Sequence, residues 1–171
     1  MVKNTVLLLL PPSGFADEGY RFMKQALSEK GFTVAVASSS GSLITGLNGT
    51  KVQPEIHLFQ VHASNFAALL ITGGEGWLKT EIKGGFDRVV KAFYASKKVI
   101  GAVCSGPVVL ARSGVLTGLN AVCNPLYKQE LIKAGVNFTD KEYVISGKII
   151  TGRGAASLPT FAMNYCSLLK T

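Results

Sequence analysis

Three patterns predict a doubly wound α/β sandwich with a mainly parallel central sheet. Short, continuous apolar runs alternate with segments whose apolar residues fall on one helical face. Glycine or proline stands where most of these helices should start or stop. Nothing within the 171 residues reads as a linker or a repeat, so residues 1–171 are expected to form one domain.

Val6–Leu10 is an apolar run, the pattern of a central strand covered on both faces. A polar loop, 11–17, follows. Glu18–Lys30 places Phe22, Met23, Ala26 and Leu27 on one helix face, and Gly31 sits where a helix-ending glycine belongs. Phe32–Ala37 then completes a βαβ opening. Residues 38–49 are rich in Ser and Gly and are expected to turn within a small excursion, with short extended pieces in Lys51–Leu58.

Phe66–Thr72 reads as a buried strand ending at Gly73-Gly74. Asp87–Ser96 reads as a helix turning Val89, Val90 and Phe93 inward, Lys98–Val103 as a strand and Pro107–Arg112 as a helix. Leu119–Cys123 is expected to be a strand. Asn124 and Pro125 then match the cap and first position of a helix, Leu126–Ala134, which Gly135 stops. Tyr143–Ser146 and Lys148–Thr151 predict a hairpin around Gly147. The last helix is expected from about Ser157 to Leu169, with Pro159 in its first turn.

Composition narrows the function classes. Hydrophobic residues make up 47% and charged residues 16%, which favours a packed globule over disorder. The net charge of +8 permits anionic partners, but the lysines are spread singly and in pairs with no interleaved aromatics, so nucleic-acid binding is not expected. The 3 cysteines cannot all pair internally and fit no zinc spacing, and there are only 2 histidines, so no metal or other cofactor is expected. A reduced, cytoplasmic protein is the simplest expectation. The first apolar run is too short for a signal peptide, and no stretch approaches membrane-spanning length, so no membrane partner is expected.

The chemistry concentrates in Gly101-Ala102-Val103-Cys104-Ser105-Gly106-Pro107. An apolar strand ends at Cys104 and small residues precede a helix start, the layout of a nucleophile elbow with Cys in the nucleophile position. The sharp turn would lift the thiol above the carboxyl ends of the strands. Taken alone, Cys104 reads equally well as a buried structural cysteine. The loop Thr72-Gly73-Gly74-Glu75-Gly76 sharpens the reading, because loops at the carboxyl ends of such strands meet at the ligand crevice. Gly74 and Ser105 are the candidate backbone donors to a substrate oxygen. Glu18 opens the first helix on the same side of the sheet. It is either a favourable first-turn acid or an acid/base partner sharing a proton with Cys104.

In order, residues 14–18, Gly31-Phe32, Leu70-Ile71-Thr72-Gly73-Gly74, Ala102–Pro107, Asn124-Pro125-Leu126 and Ile150–Gly154 resemble the ThiJ/PfpI superfamily, which is related to class I glutamine amidotransferases. The resemblance covers essentially the whole chain. It implies a flavodoxin-like sandwich, a homodimer or higher oligomer, a nucleophile at Cys104, an acid at Glu18 and oxyanion donors at Gly74 and Ser105. It also implies a small electrophilic substrate, and activities that range over glyoxalase, deglycase and peptidase chemistry, chaperone-like protection and redox sensing. The fold does not select among them.

One departure stands out. Members resembling peptidases carry His directly after the nucleophile, where this chain has Ser105. Others carry His before a Pro-Leu pair, where it has Asn124. Asn can orient a substrate or water but takes no proton at neutral pH. Three readings therefore remain: a carbonyl-processing enzyme, a redox-responsive protector, and a peptidase or amidohydrolase completed by another subunit's His. Gly73, Asn124 and Arg153 are the candidate substrate contacts. Arg153 either holds a carboxylate or ties loop carbonyls. Cys123 is either a resolving thiol or a buried strand residue, and Cys166 is expected in the core. Trp77 is expected at the pocket edge or an interface. His57 and His62 are expected at the surface or as donors to a neighbouring subunit.

Overall fold

The computed structural model describes residues 4–170. The chain runs β1 (Thr5–Leu9), α1 (Asp17–Glu29), β2 (Thr33–Ser38), β3 (Ile44–Thr45), β4 (Lys51–Val52), β5 (Ile56–His57) and β6 (Ala68–Ile71). It continues through α2 (Phe86–Ala95), β7 (Val99–Val103), α3 (Gly106–Arg112), β8 (Asn120–Ala121), α4 (Lys128–Lys133), β9 (Asn137–Phe138), β10 (Tyr143–Ser146), β11 (Ile149–Gly152) and α5 (Leu158–Leu169).

Seven strands form one sheet in the order β10-β11-β7-β6-β1-β2-β5. All its pairings are parallel except the β10–β11 hairpin. This is the flavodoxin-like arrangement. The inner strands are apolar on both sides because helices cover both faces. One core holds Leu7, Leu69 and Ile100 with the inward residues of α2 and α3. The other holds Leu8, Leu70 and Val103 with those of α1 and α5. The alternation along each strand assigns its residues to the two cores in turn.

The differences from the sequence expectation have local causes. Leu119–Cys123 contracts to β8, which pairs with β9 in a separate small sheet. Val122 donates its N–H to the side-chain hydroxyl of Thr151 instead of to a strand carbonyl. Asn124 does act as a cap, but the turn it caps is a 3-10 turn, Pro125–Tyr127, which precedes α4. The excursion at 38–52 contains the β3–β4 hairpin. Its anchor is Asp17, whose buried carboxylate accepts the N–H groups of Asn48 and Thr50, each at 2.8 Å. Burial works against that charge, but the hydrogen bonds from Thr50 and Asn48 prevail and hold Asp17 below the usual carboxylate range.

Trp77 lies neither at a pocket edge nor at a surface. It is fully buried, donates its indole N–H to the Thr72 carbonyl at 2.8 Å and stands edge-on to Phe86. Among the described residues, no helix is long and apolar enough to cross a membrane.

Candidate active site

Cys104 follows β7 with φ of +64°, one of two non-glycine residues with positive φ among those described. The left-handed conformation costs a non-glycine residue about 1–2 kcal/mol, so the surroundings must hold it there. They do so from both sides. Cys104 donates its N–H to the Gly152 carbonyl at 3.1 Å, and its own carbonyl accepts the Asn124 N–H at 2.9 Å. Glycine is required around it. A side chain at Gly106 would start 2.4 Å from the Ile71 carbonyl oxygen, and one at Gly73 would start 2.7 Å from the Cys104 Cβ. The elbow anticipated from the sequence is therefore built by close packing of small residues.

Cys104 borders a small cavity of about 60 Å³. Its walls come from Ala16, Glu18 and Gly19 at the start of α1, Gly73 after β6, Val103 at the end of β7, and Gly154, Ala155 and Leu158 leading into α5. Two donors reach the sulfur. One is the Ser105 N–H, and the other is the Asn124 side-chain amide at 3.8 Å. Burial pushes the Cys104 thiol up, and these two hydrogen bonds pull it back only in part.

Glu18 borders this cavity but is exposed, and no hydrogen bond joins it to Cys104 among the described residues. The shared-proton pair anticipated from the sequence is not formed in this structure. Gly74 also differs from expectation as a free donor. Its N–H is taken by the Ser105 hydroxyl at 2.9 Å, and that hydroxyl donates back to the Gly74 carbonyl, also at 2.9 Å. Ser105 is fully buried, so this latch is shielded from water. Gly74 has φ of +135°, and a side chain there would meet the Gly14 carbonyl at 2.4 Å.

Beside the cavity lies an open cleft of about 610 Å³ that shares Gly154 and Ala155 with it. Asn124 and Arg153 both line this cleft. Arg153 is exposed and pairs through Nε with Asp140 at 2.9 Å, so it ties down a carboxylate and not loop carbonyls.

Cys123 is buried in the core on the α2–α3 face, whereas Cys104 packs toward the other core. Its thiol donates to the Asn124 carbonyl at 3.2 Å and is pushed up to about 12, chiefly by burial and then by the nearby Cys104. These features favour the reading of Cys123 as a structural residue. Cys166 is also buried. His57 accepts the Phe59 N–H at 3.4 Å and stacks on the Phe59 ring, and His62 is exposed. Neither borders the Cys104 cavity.

The pattern of the DJ-1/PfpI family matches residues 4–168. The chain belongs to the DJ-1/PfpI family. Among the similar curated proteins is a deglycase of Pyrococcus abyssi, 29% identical over 164 residues that cover 96% of this chain and 99% of the relative. A glutathione-independent glyoxalase of Caenorhabditis elegans is 27% identical over 168 residues, covering 98% of this chain and 90% of the relative. The crystal structure of a ThiJ/PfpI domain protein from Brachyspira murdochii superposes with a TM-score of 0.93 at 23% identity, covering 99% of this chain and 98% of that one.

Within this DJ-1/PfpI chain, the sequence pattern gives no hint of Tyr127. Burial, and then the charges of Cys104 and Glu75, push its phenol up, and its N–H donates to the carbonyl of Asn124 beside the elbow at 2.8 Å. Its position three residues after the cap, in a segment with the pattern of a helix, conceals that proximity. Gly19 and Ala155 are equally silent as cavity walls, because small residues carry no chemical signal until the fold brings them together.

Proposed function

We propose that this protein converts small reactive carbonyl compounds, with Cys104 as the nucleophile and Glu18 as the proton carrier. The observation that carries this reading is the strained Cys104, held at the edge of a small cavity that Glu18 also borders. Strain of this kind persists only where the surroundings impose it, and it concentrates at functional sites. The relatives named deglycase and glyoxalase support the same class.

For a 2-oxoaldehyde the chemistry balances without an added oxidant. The Cys104 thiolate attacks the aldehyde carbon, a C–S bond forms, and the carbonyl π electrons move to oxygen. We assign the Ser105 N–H, which already reaches the sulfur, as the backbone donor to that oxygen. Glu18 carries a proton from the aldehyde carbon to the neighbouring carbon, and the proton given up by the thiol ends on that carbon's oxygen, which leaves the thioester of a 2-hydroxy acid. Water then cleaves the thioester, releasing the hydroxy acid and the thiol. The cavity limits the reacting end of the substrate to a few heavy atoms, and the adjoining cleft is open to anything attached to it.

The test is methylglyoxal turnover followed by appearance of the hydroxy acid. Wild type is expected to form it, and Cys104→Ala to fall to the uncatalysed rate. Equal rates in the two proteins would exclude this substrate.

A further inference from the structure

Three of the contacts that Asn124 makes decide how its side chain is presented. Its backbone N–H donates to the Cys104 carbonyl at 2.9 Å, which fixes where the side chain starts. Its side-chain oxygen accepts the Leu126 N–H at 3.0 Å and caps the Pro125–Tyr127 turn. Its Nδ2 faces Cys104 Sγ at 3.8 Å. An asparagine amide can often turn over and exchange its oxygen for its nitrogen. The cap forbids that here. A turned amide would set NH2 against the Leu126 N–H, two donors face to face, and a carbonyl oxygen against the sulfur. The group presented to Cys104 is therefore a donor.

We propose that Asn124 is a catalytic residue whose capped amide donates a hydrogen bond to the Cys104 sulfur and stabilises its charged, nucleophilic form. Asn124 thus contributes no base. It is the only side chain among the described residues that donates to the sulfur, and the other donor, the Ser105 N–H, is backbone. Other titratable groups belong to the same electrostatic neighbourhood, with Lys141 and Glu142 on the cleft that Asn124 lines. Glu18 stands across the cavity on α1, and Cys123 and Tyr127 feel the charge of Cys104. Glu75 acts on Tyr127, and Arg153 lies on the cleft that Asn124 also lines, already paired with Asp140. The proposal rests on reading Cys104 as a nucleophile, but on no particular substrate.

The test is the pH profile of Cys104 alkylation by iodoacetamide, located by peptide mass mapping, with Tm measured in parallel. Asn124→Ser and Asn124→Asp both keep a side-chain oxygen that can cap the turn, while the shorter Ser hydroxyl falls short of the sulfur and an ionised Asp has no donor to offer it. Asn124→Asp also sets a negative charge beside it. The alkylation midpoint is expected to rise by about one pH unit in Asn124→Ser and further in Asn124→Asp, with near-wild-type Tm in both. At pH 7 the Ser variant should react about tenfold more slowly. Wild-type profiles in both variants, with a lowered Tm only in Asn124→Ala, would reduce Asn124 to a cap and overturn the proposal. Because alkylation needs no substrate, the outcome is separable from the carbonyl reading. A shifted profile without methylglyoxal turnover upholds Asn124 and removes that reading, and turnover with an unshifted profile does the reverse.

Discussion

The two walls of the Cys104 cavity are built differently. The elbow side is cross-linked by hydrogen bonds. Cys104 is held through its N–H and its carbonyl, Asn124 is pinned by its cap, and Ser105 latches Gly74 through two bonds. On the α1 side, two consecutive acids divide the labour. Asp17 is buried and anchors the β3–β4 hairpin, while Glu18 is exposed and, among the described residues, has no hydrogen bond to Cys104. In the proposed roles, the bonded wall would hold the nucleophile in its strained geometry, and the free head of Glu18 would let a proton carrier approach and leave.

The largest expected effect tests that division directly. Cys104→Ala should lower methylglyoxal turnover by about 10³-fold or more, and Glu18→Gln by about 10²-fold, with Tm nearly unchanged in the latter because the side chain is exposed. A large Tm loss in Glu18→Gln would show that the α1 wall is held through Glu18 as well, and the comparison would fail. Next comes the close packing of the elbow. Gly106→Ala should destabilise by about 3 kcal/mol in urea unfolding, since the neighbour it meets is backbone that cannot yield. Gly41→Ala is the control, as a side chain there meets nothing within 4 Å.

The α1 anchor should show itself in acid. Asp17 titrates below its ordinary value of 3.8, so its contribution is complete above that pH and is lost as pH falls through the lowered folded value. Asp17→Asn should cost about 2 kcal/mol at pH 7 and flatten this part of the stability-versus-pH curve below pH 4. An unchanged acid limb would mean that the hairpin does not depend on the charge. The smallest stability effect is assigned to Ser105→Ala, about 1 kcal/mol for the lost latch. Its kcat should rise, because the Gly74 N–H is released to a substrate oxygen. A fall in both Tm and kcat would make the latch part of the working geometry instead of a competitor with substrate.

Much of this molecule is legible without reference to its folded form. The apolar run at Val6–Leu10, the helical face of Phe22, Met23 and Leu27, and the Gly31 and Gly135 stops all depend on near neighbours in the chain, and each lies where its local pattern indicates. The elbow is legible for the same reason, since small residues around Cys104 are a local requirement. Features set by distant partners are not. Leu119–Cys123 has the residues of a strand, but Val122 finds the Thr151 hydroxyl. Trp77 has the size and polarity of a pocket edge, but Thr72 and Phe86 enclose it.

The linear chain alone therefore specifies the alternation of strands and helices, the family, and the identity of the residue presented at the elbow. Periodicity and turn chemistry act over a few residues, and a linear string records them in full. Which groups meet the sulfur is left to tertiary packing. Asn124 is 20 residues away along the chain, and its amide acquires a direction only when Leu126 takes the oxygen. Gly74 carries a donor N–H in any fold, but whether that donor is free depends on a hydroxyl 31 residues distant. Hydrogen bonding is short-ranged and directional, so the chemistry of Cys104 is set by the groups that packing brings within hydrogen-bonding reach of it, and composition carries no trace of that.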